Sequence, residues 1–102
     1  MDARESYEVV VAELAATSAA VSSKMFGMPS LKIGGKAFAG LYNDSMVFKL
    51  GEPTRAEALA LPGAHLFDPM GGRPMKEWVV LPAEQSPEWL RFAREALRYV
   101  GG

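Results

Sequence analysis

At 102 residues, 49% of them hydrophobic, the chain holds one domain with a packed core rather than a disordered tail. Against 12 acidic residues stand 11 basic ones, and the net charge of −1 gives no long-range pull toward nucleic-acid backbones or anionic lipid. The absence of cysteine excludes disulfides, thiolate nucleophiles and zinc–thiolate sites.

The opening residues, Met1-Asp2-Ala3-Arg4-Glu5, lack the basic start and apolar run of a signal peptide. No segment approaches the ~20 apolar residues of a membrane helix, so a cytoplasmic address away from the membrane is expected. Residues 2–16 read as an amphipathic helix, with Tyr7, Val10, Val11 and Leu14 on one stripe. Asp2 and Glu5 have the spacing of a capping box. Helix propensity fades over 17–23, and 21–26 can begin a strand.

The middle of the chain is β in character. Gly34-Gly35 and Asn43-Asp44 tolerate the positive φ angles of tight hairpins. They divide 31–33, 37–42 and 45–50 into a three-stranded meander. A two-residue turn at Asn43-Asp44 sets Leu41 opposite Met46 and Ala39 opposite Phe48, and opposite residues share a face. Ala37, Ala39, Leu41, Met46, Phe48 and Leu50 are therefore expected to face the core. A two-residue turn at Gly34-Gly35 would send Lys32 to that face. A three-residue loop, Gly34-Gly35-Lys36, with a bulge sends Leu31 and Ile33 there instead and is the expected connection. This register leaves Phe38, Tyr42 and Val47 as a half-apolar patch on the opposite face. The patch reads either as a homodimer or partner interface or as scattered exposed apolar residues.

Residues 53–61 read as a short helix stopped by Pro62-Gly63. Strands follow at 65–67 and 75–81, around an irregular Gly- and Pro-rich loop at 68–74. The last helix is read over 87–100, with Ser86 as N-cap, Pro87 at the first position and Gly101 as C-cap. Its apolar stripe is Trp89, Ala93, Ala96, Leu97 and Val100, with Phe92 at the edge. The order α-β-β-β-β-α-β-β-α over 1–102 describes one α+β domain: a two-layer antiparallel sheet with both terminal helices on one face.

Residues that could carry chemistry are sparse. His65 is the only histidine and stands alone, which closes no metal site. No Gly-x-Ser-x-Gly elbow supplies a nucleophile. The glutamates lie at helix starts or on polar helix faces, where solvated charge is the ordinary state. Neither a catalytic site nor a cofactor is expected. Met70-Gly71-Gly72-Arg73 offers backbone amides and the Arg73 charge to an anion, although turn chemistry alone also explains its glycines. Arg91, Arg94 and Arg98 share a helix face with Glu88 and Glu95 to pair with. Lys24, Lys32, Lys36 and Lys49 lie among aromatics on the strands. They serve either as guards against edge-to-edge pairing or as a single-stranded nucleic-acid platform.

The stretch Lys24-Met25-Phe26-Gly27, followed by Gly40-Leu41-Tyr42-Asn43-Asp44-Ser45-Met46-Val47-Phe48-Lys49-Leu50, resembles the N-terminal domain of the TfoX family. Phe67, Pro74-Met75, Trp78, Leu81-Pro82 and a closing helix with Trp89 and Ala93 continue the likeness. Where family members often carry a second glycine, Met28-Pro29 stands here. The resemblance implies a secretion-chaperone-like two-layer fold without enzyme activity. The namesake regulates bacterial competence and has a separate C-terminal domain with no counterpart in these residues, so a competence role is not implied. The leading expectation is a non-catalytic cytoplasmic interaction or regulatory module, a homodimer or bound to a protein partner. The alternatives are a nucleic-acid-binding module, in line with related MmcQ/YjbR-like proteins, and an anion pocket beside the 69–74 loop.

Overall fold

The computed structural model describes residues 1–102. Its elements are α1 (Ala3–Thr17), β1 (Val21–Met25), β2 (Met28–Ile33), β3 (Lys36–Tyr42), β4 (Ser45–Lys49), α2 (Thr54–Leu59), β5 (His65–Phe67), β6 (Met75–Leu81), a 3-10 segment at Ala83–Glu88, and α3 (Trp89–Gly101). The α+β class and the order of elements agree with the sequence reading. The six strands form one antiparallel sheet in the order β1-β2-β3-β4-β6-β5. No helix is long and apolar enough to cross a membrane.

The first helix starts where its chemistry dictates. The Asp2 carboxylate accepts from the Glu5 amide at 2.8 Å, and the Glu5 carboxylate accepts from the Asp2 amide at 3.0 Å. These two bonds satisfy amides that a helix start otherwise leaves unpaired. Tyr7, Val10 and Leu14 then point into the main core, where they meet Trp89, Phe92, Ala93 and Ala96 of α3 and the inner face of the sheet. Burying each large side chain contributes about 1.5–3 kcal/mol. Phe92 is fully buried against Phe48, not at the edge of the stripe, while Leu97 is only half-buried at the core margin. Ser86 is no N-cap: α3 begins at Trp89, whose amide donates to the Ser86 carbonyl from the preceding 3-10 segment.

The β2–β3 hairpin departs from the expected register. Its turn has two residues, Gly34 and Gly35, at φ 57° and 81°, with Ile33 opposite Lys36 and Lys32 opposite Ala37. Beyond a bulge, Leu31 lies opposite Ala39. The extra residue on β3 turns both Phe38 and Ala39 toward the helices and sends Ala37 to the other side. Leu31 and Ile33 still face the main core, as expected, but the bulge achieves this and not a longer loop. Phe38 is therefore 0% exposed within the main core, and its assignment to an outer patch is overturned.

The sheet's second face is also covered. Met28, Val47, Phe67, Trp78 and Val80 form a smaller core there, flanked by Met25, Ala37, Tyr42 and Met75. Val47 is 0% exposed and Tyr42 is half-buried, so neither is part of a free patch. Curvature is the reason. Three strand spacings separate β3 from β5 in the sheet, about 14 Å if flat, yet the Tyr42 and Phe67 rings meet edge-on at 5.0 Å. Phe26, in the β1–β2 turn, comes within 6.5 Å of Phe67 from the opposite end of the sheet. Close packing at Gly40 belongs to this curl: a Cβ there would lie 2.8 Å from Met28 Cε and 2.9 Å from the Pro29 carbonyl.

Tyr7 gives a pH test of the helix-side core. Burial, aided by the neighbouring Glu8 carboxylate, pushes its phenol up to about 12. The folded state thus favours the neutral ring. Its contribution is full below the unfolded value near 10 and is lost as pH rises through about 12. Unfolding free energies of the native protein from urea titrations should fall over that window by about 2–3 kcal/mol more than those of Tyr7→Phe. Parallel pH curves for the two proteins would contradict the buried phenol.

Candidate functional site

The concave side of the curl holds a recess of about 800 Å3, within the range of small-molecule sites. Its apolar surface comes from Phe26, Pro69, Met70, Pro74, Met75 and Trp78. Its polar wall comes from Lys49, Arg55, Arg73, Lys76 and Glu77, four cations against one carboxylate.

Each wall has a local cause. Along β6, Met75 lies opposite Phe67 and Val79 opposite Leu66, so Lys76, Glu77 and Trp78 stand in an irregular stretch without regular β5 partners. The released Lys76 carbonyl accepts from Arg55 Nη1 at 3.3 Å, which fixes that guanidinium at the recess. Trp78 lies opposite Lys49 on the other neighbour strand, and its side chain is buried in the smaller core. The 68–74 loop is tied by Asp68, whose carboxylate accepts from the Gly72 amide at 2.8 Å and the Arg73 amide at 3.3 Å. These amides are thus occupied by the chain's own carboxylate, the turn chemistry that also explains the glycines, and the alternative backbone cradle for an external anion is filled. The Arg73 side chain remains exposed at the recess.

Phe26 stands out on conformational grounds. It sits at φ 53° with Gly27 at 76°, and Met25 lies opposite Met28, a two-residue turn with positive φ at both positions. Asn-Gly suits such a turn, while a bulky aromatic there costs about 1–2 kcal/mol. The ring is nevertheless 65% exposed, and Met70 across the rim is 86% exposed. Strain and exposure coincide at this side chain, a combination that the packing of the fold does not require. Sequence reading missed the turn because Phe26 and Pro29 are not hairpin signals; the mismatch between residue type and φ becomes visible only in the backbone.

The carboxylate of Glu77 is committed elsewhere. It accepts the Tyr99 hydroxyl at 2.5 Å and lies 3.8 Å from Lys49 Nζ. This hydrogen bond raises the Tyr99 phenol above its ordinary value. Arg55 pairs with Glu52 at 3.6 Å, whereas Arg73 and Lys76 have no ion-pair partner. The arginines of α3 are all paired: Arg91 with Glu88, Arg98 with Glu95, and Arg94 across to Glu13 of α1.

The four strand lysines do not share a platform. Lys24 lies opposite Pro29 and Lys36 opposite Ile33, on the Leu31 face; Lys32 and Lys49 lie on the Trp78 face. Phe38 and Phe48 are buried and offer no stacking surface. His65 is exposed at the start of β5, with Nδ1 3.0 Å from the Leu66 carbonyl, and no three His, Cys, Asp or Glu side chains converge on a metal position. The chain matches no protein-family model, no curated protein and no solved structure, so geometry carries the functional argument.

Replacing Phe26 separates a contact role from a structural one. Phe26→Asn suits the left-handed turn and should change unfolding free energy by less than ~1 kcal/mol, while Phe67→Ala should lose about 3–5 kcal/mol. A loss at Phe26 matching that at Phe67 in urea titrations would make Phe26 part of the fold's support.

Proposed function

We propose that this chain is a non-catalytic regulatory domain, similar to the TfoX N-terminal domain and of secretion-chaperone-like architecture, that acts by binding through the concave face of its sheet. One observation carries the reading: a strained, exposed aromatic and two unpaired cations gather at the rim of one apolar recess. Its lining has no Ser, Thr, Cys or His to serve as a nucleophile with its base, and its one carboxylate is held by Tyr99 and Lys49. The homodimer reading loses its support, because Phe38 and Val47 are buried within one chain. The nucleic-acid reading loses its lysine platform, because the four side chains divide between two faces.

A fragment screen followed by amide, indole and methionine-methyl NMR tests the proposal. Binders should move the Trp78 indole and the Met70 and Met75 methyl signals together, and ester or phosphomonoester substrates should not turn over. Binders that cluster on the helix layer, or stoichiometric turnover, would overturn it.

A further inference from the structure

The class of ligand follows from the chemistry of the rim and rests on the binding reading above. Phe26, Met70 and Trp78 present apolar surface to the recess, and an apolar body would bury much of what Phe26 and Met70 now expose. Met70 and Met75 add flexible thioethers that adapt to varied shapes. Arg73 and Lys76 supply the opposite character. Both are exposed at the same recess and neither has a carboxylate partner, although every arginine of α3 has one. In a chain of net charge −1, cations left unpaired beside an apolar recess are a local feature that overall composition does not impose. The wall carries donors and few acceptors: Lys49, Arg55, Arg73 and Lys76 donate, while the Glu77 carboxylate is already bonded. Such a surface recognises acidic oxygens and does not read the mixed donor–acceptor edge of a nucleobase.

We propose that the recess takes a small amphipathic acid, with its aliphatic or aryl body between Phe26, Met70 and Trp78 and its carboxylate or phosphate head on Arg73 and Lys76. The open shape and the exposed rim let the head stay partly hydrated while the body is covered. Phe26 borders the body from the β1–β2 turn.

The two tryptophans provide an internal control, since Trp78 borders the recess and Trp89 is sealed in the main core. Decanoate and decyl phosphate, titrated into the folded chain, should move the Trp78 indole N–H signal saturably and leave Trp89 unmoved. Neutral 1-decanol should bind several-fold more weakly, since two ion pairs at exposed side chains add modestly to the affinity of the acid. Arg73→Gln with Lys76→Gln should erase this preference while leaving decanol binding and the urea midpoint unchanged. Equal binding of decanol and decanoate would overturn the acid class and leave the recess reading standing. Adenosine monophosphate binding without the aliphatic acids would overturn it in favour of a nucleotide. If none of the probes moved Trp78, both the acid class and the recess reading would fall.

Discussion

The bulge on β3 opposite Lys32 is the constraint from which the rest of the structure follows. The tight turn at Gly34-Gly35 pairs Ile33 with Lys36, and an unbroken ladder from that pair would set Leu31 opposite Phe38 and Ala39 opposite Ser30. Ala39 would then leave the core face, and with it the pairing of Ala39 to Phe48 that β4 needs. One extra residue resolves the conflict: Phe38 and Ala39 both enter the main core, and the ladder continues with Leu31 opposite Ala39. Such a residue also bends its strand and increases the local twist. The curl that brings Phe26 and Tyr42 to Phe67 is the visible consequence across the sheet.

Curvature gives the two faces different work. The convex side carries the helices and the large core, and the ion pairs of α3 neutralise its outer surface. The concave side is closed at its centre by Val47, Phe67 and Trp78 and left open toward the 68–74 loop. There the irregular stretch of β6 exposes side chains that a regular ladder would have spaced differently. Arg73 and Lys76 are unpaired at this margin because the nearby acids are already engaged: Asp68 by its own loop, and Glu77 by Tyr99.

Much of this was legible from sequence, and the limits have physical causes. The Asp2–Glu5 box, the Asn43-Asp44 hairpin with Leu41 opposite Met46, and the stripes of α1 and α3 are local signals, and all are present in the fold. The need for Leu31 and Ile33 on the core face was also readable. The means was not, because a bulge within the strand and a longer loop produce the same alternation at Leu31. That ambiguity misplaced Phe38, whereas Tyr42 and Val47 lie on the second face as read and are covered there. Covering of Val47 and Tyr42 depends on Phe67, 20 or more residues away in sequence, and no periodicity reports a contact of that kind. Arg73 was singled out from its glycine-rich loop, but the use of the loop amides by Asp68 is visible only in three dimensions.

The register of β2 against β3 is the most direct test of the account. Cross-strand nuclear Overhauser effects in the isotopically labelled protein report it without mutation. The account predicts contacts pairing Leu31 with Ala39 and Lys32 with Ala37, together with ring contacts between Tyr42 and Phe67. Contacts pairing Lys32 with Phe38 and Ile33 with Ala37, as a three-residue loop requires, would return Phe38 to the outer face and contradict both the curl and the recess built on it.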